Sequence, residues 1–181
     1  MAGRRFENAL EVGYGSGVVQ LALAPGVADL HGIDLDADRA VAETILQERG
    51  YQSNLLQGSV CDLPYEDDRF ELVVSFSVFE HLQQYPVALA EVARVLEPGG
   101  LFLLGMPSVN GLMEAAFTAV GFKGIADHHV TTPAQVSKQC PEFGLRAIAQ
   151  RHLVLPAPRP FGLRLYYNWL LRKDELPAPR S

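Results

Sequence analysis

The chain has 181 residues and a mass of 19.8 kDa, enough for one domain with a sizeable core. Apolar residues make up 48% and charged residues 20%, which excludes wholesale disorder and a fibrous protein, and no run approaches the ~18 apolar residues of a membrane span. The formal net charge of −6 argues against nucleic acid as a partner, and two cysteines, Cys61 and Cys140, are too few and too far apart for a disulfide framework or a paired metal motif.

At the start of the chain Arg4 and Arg5 lead into Phe6, Glu7 and Asn8 rather than into an apolar run. No secretory leader is expected, and a reducing, cytoplasmic setting is. A first strand is expected over Asn8–Val12, then a glycine turn over Gly13–Gly17 and a helix over Val18–Leu23. A second strand follows at Asp29–Ile33, and Val41, Ile45 and Leu46 set the register of a helix over Asp38–Arg49, with Gly50 at its stop. Asp36 or Asp38 is read as the N-cap of that helix. A short strand at Ser53–Gln57 precedes a turn-rich loop, Gly58–Arg69, in which Glu66, Asp67 and Asp68 read as a solvated acidic turn.

Phe70–Phe76 is β-branched and apolar on both faces, the pattern of a buried parallel strand. A helix over Val87–Leu96 stops at Pro98-Gly99-Gly100, and Leu101–Met106 is another buried strand. Strands and helices that alternate at this spacing imply right-handed crossovers and a mostly parallel, doubly wound α/β sheet. Beyond Pro107 a helix is expected over Asn110–Val120, and a second over Pro133–Gln139 with Thr131 or Thr132 as its cap. Leu145–Leu155 alternates like a strand, and Pro156–Pro160 reads as a stiff spacer. Leu163, Tyr166, Tyr167, Leu170 and Leu171 fit helical spacing, with a terminal strand as the alternative.

Charge is uneven along the chain: six of the fifteen Lys and Arg, but only two of the 21 Asp and Glu, lie beyond residue 150. A solvated basic surface is the simple reading; docking onto an acidic partner, a membrane surface or an anionic substrate is the other.

Chemistry concentrates at the carboxyl ends of the strands. Gly13, Gly15 and Gly17 directly follow an apolar strand, where a glycine turn lets a ligand approach the backbone. The dinucleotide fingerprint Gly-x-Gly-x-x-Gly is not met, since position 18 is Val, so a nicotinamide-dependent oxidoreductase is disfavoured. Glu11, inside the strand, suits a ligand whose nearby part is cationic. Asp34 ends the second strand, where a carboxylate can accept two hydrogen bonds from ribose hydroxyls.

The sequence resembles the class I S-adenosylmethionine-dependent methyltransferases, nearest the group around the ubiquinone and menaquinone C-methylases. Leu10-Glu-Val-Gly-Tyr-Gly-Ser-Gly17 looks like motif I of that family, and Gly32-Ile-Asp-Leu35 like motif II. Gly58-Ser-Val-Cys-Asp-Leu-Pro-Tyr65 with Asp68–Ser75 is similar to the third block and fourth strand. Val78-Phe-Glu-His81 and Ala90–Gly100 complete the match, which covers residues 6–107.

The resemblance implies seven strands, the last antiparallel, in one methyltransferase domain over residues 1–181. Residues 6–107 would form its cofactor half and 108–181 its substrate-facing part. It implies S-adenosyl-L-methionine as cofactor, contacted by Glu11, Gly13, Tyr14, Gly15, Gly17, Asp34, Leu35, Ser59, Val60 and Ser75. Ser59 stands where the family usually carries an acid for the adenine amino group, so backbone groups of Val60 and Cys61 take more of that role. Tyr14 occupies a position that is often Cys or Ala. Few residues precede the first strand, whereas relatives carry covering helices there; a cover is expected from the C-terminal half, from a second subunit in a homodimer, or not at all.

A small-molecule acceptor is expected over Ser75–His81, with Glu80 and His81 as candidate catalytic groups and His128, beside Asp127 and His129, as a third. An aromatic set, Phe161, Tyr166, Tyr167 and Trp169, either contacts an apolar acceptor or packs on the sheet. No metal site is expected. The alternative function is a methyltransferase-like cofactor-binding subunit without activity of its own.

Overall fold

The structure is a computed structural model, and it describes residues 4–108, 130–155 and 163–174. The helix expected at Asn110–Val120, the Asp127–His129 cluster, Phe161 and the proline spacer lie outside the described residues. Seven strands form one sheet in the order β3-β2-β1-β4-β5-β7-β6. Their ranges are β1 Phe6–Val12, β2 Val27–Asp34, β3 Asn54–Gln57, β4 Phe70–Phe76, β5 Leu96–Pro107, β6 Leu145–Leu155 and β7 Leu163–Lys173. The first five pair in parallel, and β7 runs antiparallel to both β5 and β6. Crossovers from β1 run outward to β2 and β3, and those after β4 run the other way. The switch point therefore falls between β1 and β4, where Val12 pairs with Ser75.

Helix α1, Val18–Leu23, and helix α2, Arg39–Gln47, return the chain to β2 and β3. Asp38 caps α2, its carboxylate accepting from Ala40 N at 3.0 Å. Helix α3, Tyr85–Val95, starts two residues earlier than its apolar pattern suggests because Pro86 suits a first helical turn. Pro98-Gly99-Gly100 is not a loop: these residues belong to β5, in a bulge that shifts its register against β4 between Phe70 and Leu72. Helix α4, Pro133–Gln139, carries a reciprocal capping box between Thr132 and Gln135.

The last segment forms the terminal strand, not the helix that its spacing also fits. Threading between β5 and β6 buries Trp169 to 5% and Leu171 to 2% exposure, while a helix there would leave the edge of β5 unpaired. The largest core, with Leu10, Val12, Phe79 and Phe102, lies on the side of α3 and α4; a smaller one, with Tyr14, Ala42, Leu46 and Leu55, lies under α2. Among the described residues no helix is long and apolar enough to cross a membrane.

Candidate functional site

At the switch point the turn after β1 and the segment after β4 touch. Gly13 has φ 81°, and a Cβ on it would stand 2.2 Å from Val78 Cγ2, so only glycine fits this crossing. Its N–H donates to Ile33 O at 2.7 Å, tying the turn to β2. Gly15, by contrast, faces open space: a Cβ there would meet nothing within 4 Å.

Asp34 is the latch of this edge. Its Oδ2 accepts from Gly15 N at 2.9 Å, and its Oδ1 accepts from Asp36 N at 3.0 Å and Ala37 N at 2.9 Å. A carboxylate offers about four acceptor positions. Three are taken by the backbone, which leaves one for a ligand rather than the pair expected from sequence.

Opposite Asp34 stands the loop that carries Ser59 and Val60. The Ser59 hydroxyl accepts from Cys61 N at 3.1 Å. Arg94 on α3 pins this loop: its guanidinium grips both oxygens of Glu91 at 2.7 and 2.8 Å, Asp67 at 2.8 Å, and the carbonyls of Leu63 and Tyr65 at 3.0 and 2.7 Å. Arg94 in turn holds the Glu91 carboxyl below its usual range. The acidic turn is exposed, as expected, and two of its acids are also partnered: Asp67 by Arg94, and Asp68 by Lys173 at 2.6 Å.

Between these walls lies a cleft of about 320 Å³, in the usual range for ligand pockets. Of the residues singled out from the sequence, it is lined by Gly13, Asp34, Leu35, Ser59, Val60 and His81. Gly15 and Gly17 shape the turn without lining it. The Tyr14 ring turns into the core under α2, leaving only its backbone toward the edge. Glu11, Ser75 and Glu80 are buried at 1%, 0% and 1% exposure, and each keeps one side-chain oxygen without a hydrogen-bond partner among the described residues. Burial pushes the Glu11 carboxyl up to about 8, with the nearby Asp34 charge adding to the rise and Gln20 opposing it. Burial likewise pushes Glu80 up, against the lowering pull of its own backbone and of His81, whose Nε2 is 3.8 Å from Glu80 Oε1. His128 lies outside the described residues.

Sequence reasoning placed Ser77 in the acceptor segment and Tyr166 in the aromatic set but did not pair them: Ser77 lines the cleft in a left-handed conformation with φ 56°, and the Tyr166 hydroxyl is 2.9 Å from Ser77 Oγ. It also missed Arg94 as the pin of the Ser59 loop. A cavity of similar size, about 350 Å³, opens elsewhere, between β2 and α2, lined by Asp29, Glu43, Tyr51 and Ser53 among others. It has neither a glycine turn nor a switch point, so volume alone does not choose between the two.

Residues 10–104 match the family model described as "Methyltransferase domain". The chain belongs to this methyltransferase family. An uncharacterised methyltransferase of Bacillus subtilis, YcgJ, is 34% identical over 103 residues, 56% of this chain and 41% of its own length. Demethylmenaquinone methyltransferase of Bacillus pumilus is 35% identical over 99 residues, 52% of this chain and 42% of the relative. This methyltransferase chain thus spans about four tenths of the length of those two curated relatives. Among solved structures, the N-methyltransferase NodS of Bradyrhizobium japonicum, in complex with S-adenosyl-L-homocysteine, superposes with a TM-score of 0.72 at 19% identity. That superposition covers 94% of the methyltransferase chain and 80% of NodS, and it shows a shared fold.

Proposed function

We propose that this chain is an S-adenosyl-L-methionine-dependent methyltransferase acting on a small-molecule acceptor, as one domain in the cytoplasm. The observation that carries the reading is the convergence, in one cleft at the switch point, of the Gly13 turn, Asp34 and the Ser59–Val60 loop. The donor set fits the cofactor. Gly15 leaves room for close approach, Asp34 keeps one acceptor position for a ribose hydroxyl, and Leu35 offers an apolar face for the adenine. Glu11, with an unpartnered buried oxygen behind the turn, suits a cationic methionine end. Support also comes from the relative named as a demethylmenaquinone methyltransferase and the fold neighbour named as holding S-adenosyl-L-homocysteine.

When bound, this cofactor supplies a methyl already activated on a sulfonium, so the protein's part is chiefly positioning. The left-handed Gly13, Gly15 and Gly17 shape the turn that would receive the ligand. Asp34 would hold the sugar, and the Ser59 loop, held by Arg94, would face the base. His81 lines the cleft and could take a proton that the acceptor must lose, with the buried Glu80, 3.8 Å from His81 Nε2, as the second candidate.

Calorimetric titration with S-adenosylmethionine and S-adenosylhomocysteine, with NADH as control, tests the reading. Micromolar binding of both sulfur compounds, weakened in Asp34→Asn and absent for NADH, is expected. Binding of NADH instead, or of none of the three, would overturn it.

A further inference from the structure

Away from the cleft, the basic end of the chain gathers on one face of the sheet. Strands β6 and β7 carry five Lys and Arg and no Asp or Glu. Tyr167, Trp169 and Leu171 turn toward the α3–α4 core. The alternate residues Arg164, Tyr166, Asn168, Leu170 and Arg172 therefore turn to the other side, where α1 lies. The register sets Arg146 beside Arg172, Arg151 beside Asn168, Leu153 beside Tyr166 and Val154 beside Arg164. One face of this strand pair thus holds four arginines with Leu153 and Val154 among them.

All four arginines are exposed, and Leu153 and Val154 keep 60% and 45% exposure. Arg146 is paired with Asp174 at 2.6 Å, whereas Arg151, Arg164 and Arg172 form no ion pair among the described residues. Arg146 also stands directly opposite Arg172, a like-charge pair that an anion laid across it would relieve. A single exposed aliphatic side chain needs no explanation, but two set among cations on a strand pair describe one kind of partner.

That partner is anionic and fluid. A strand pair is flat, and neither cavity described above opens on this one. A protein partner is held by anchor side chains in pockets. An anionic bilayer needs no pocket: arginines meet its headgroup phosphates, and short aliphatic side chains enter the boundary between headgroups and acyl chains. The net charge of −6 resides on the rest of the molecule, so its repulsion turns this face toward such a surface.

We propose that the β6–β7 face docks the chain onto an anionic lipid surface. Tyr166 pairs with Pro107 at the carboxyl end of β5, and its hydroxyl meets Ser77 in the cleft wall, so docking brings the cleft to the lipid. The inference does not rest on the methyl-transfer reading, and neither cofactor nor acceptor enters its test.

The whole chain is sedimented with vesicles of phosphatidylcholine alone, and with phosphatidylglycerol added at about three parts in ten. Binding is expected only to the anionic vesicles, and it should fall steeply between about 0.05 and 0.5 M salt. Each arginine at such a surface contributes about fivefold, so Arg151→Gln with Arg164→Gln should weaken binding roughly 25-fold. Arg151→Lys with Arg164→Lys keeps the charge and should stay within about twofold of the wild type. Leu153→Ser should lose about fivefold, the partial burial of one aliphatic side chain. Arg49→Gln removes an exposed cation just past α2, away from this face, and should change nothing. Urea midpoints identify any variant that fails to fold, and the Lys pair tests the same two positions with charge retained.

Equal binding to neutral vesicles, or binding to neither, would overturn the proposal. So would a loss in Arg49→Gln that matches the Gln pair, or a Lys pair as weak as the Gln pair. Displacement from vesicles by soluble polyglutamate, with Leu153→Ser binding like the wild type, would assign the face to an acidic protein and overturn the lipid.

Discussion

Replacing Gly13 by Ala places a methyl group where the structure has none to spare. The new Cβ would stand 2.2 Å from Val78 Cγ2, while the next atom, Val78 Cβ, is 3.6 Å away in ordinary contact. The left-handed φ of 81° alone costs an L-residue roughly 1–2 kcal/mol, and forcing a methyl into a filled space adds about 1–3 kcal/mol. Gly13→Ala is therefore expected to lower the unfolding free energy by about 2–5 kcal/mol in urea titration. The steric part belongs to one atom, which makes it separable. Val78→Ala removes Cγ2, so the double variant should recover about 1–3 kcal/mol relative to the sum of the single changes, leaving mainly the backbone cost. A Gly13→Ala loss under about 0.5 kcal/mol, or additivity within about 0.5 kcal/mol across the cycle, would refute the crossing of the two segments.

Glu11 titrates near 4.5 in the unfolded chain and near 8 in the folded one, so the fold favours its protonated form, and stability falls as pH rises between those values. At about 1.4 kcal/mol per pH unit, Glu11→Gln should gain on the wild type by as much as roughly 4 kcal/mol between pH 4.5 and pH 9; a pH-independent difference in urea titrations would dismiss this burial. Asp34→Asn keeps one carbonyl oxygen for three backbone donors and should cost about 1–3 kcal/mol even without ligand, so an unchanged urea midpoint speaks against the latch. Arg94→Ala should cost about 2–4 kcal/mol and speed amide exchange across residues 58–69, with Arg94→Lys recovering less than half because an ammonium cannot fork onto Glu91; unchanged exchange in that loop would remove Arg94 from the site.

The parts of the fold written in local pattern were legible. β4 is apolar on both faces because it is buried on both, and α1 and β6 keep the bounds that their residues imply. The Gly13 turn and Asp34 could be paired from sequence because strand ends in a parallel sheet share one edge. What local pattern misses is set by distant partners. Helical spacing and strand alternation coexist in Leu163–Leu171, and only the free edges of β5 and β6 decide for the strand. Pro98-Gly99-Gly100 carries the composition of a stop but serves as a bulge, since β4 pairs on both sides of it. Ser77 and Tyr166 are 89 positions apart, and no spacing rule joins them. Tyr14 sits inside the glycine motif yet sends its ring to the α2 core, a direction the motif does not encode.

The central claim concerns which surface receives the cofactor, and backbone amide shifts on titration with S-adenosylhomocysteine read it directly. The account predicts that the largest shifts fall on Gly13, Gly15, Asp34, Leu35, Ser59, Val60 and His81, on both sides of the switch-point cleft. Shifts gathered instead around Asp29, Glu43, Tyr51 and Ser53, in the cavity between β2 and α2, would contradict it.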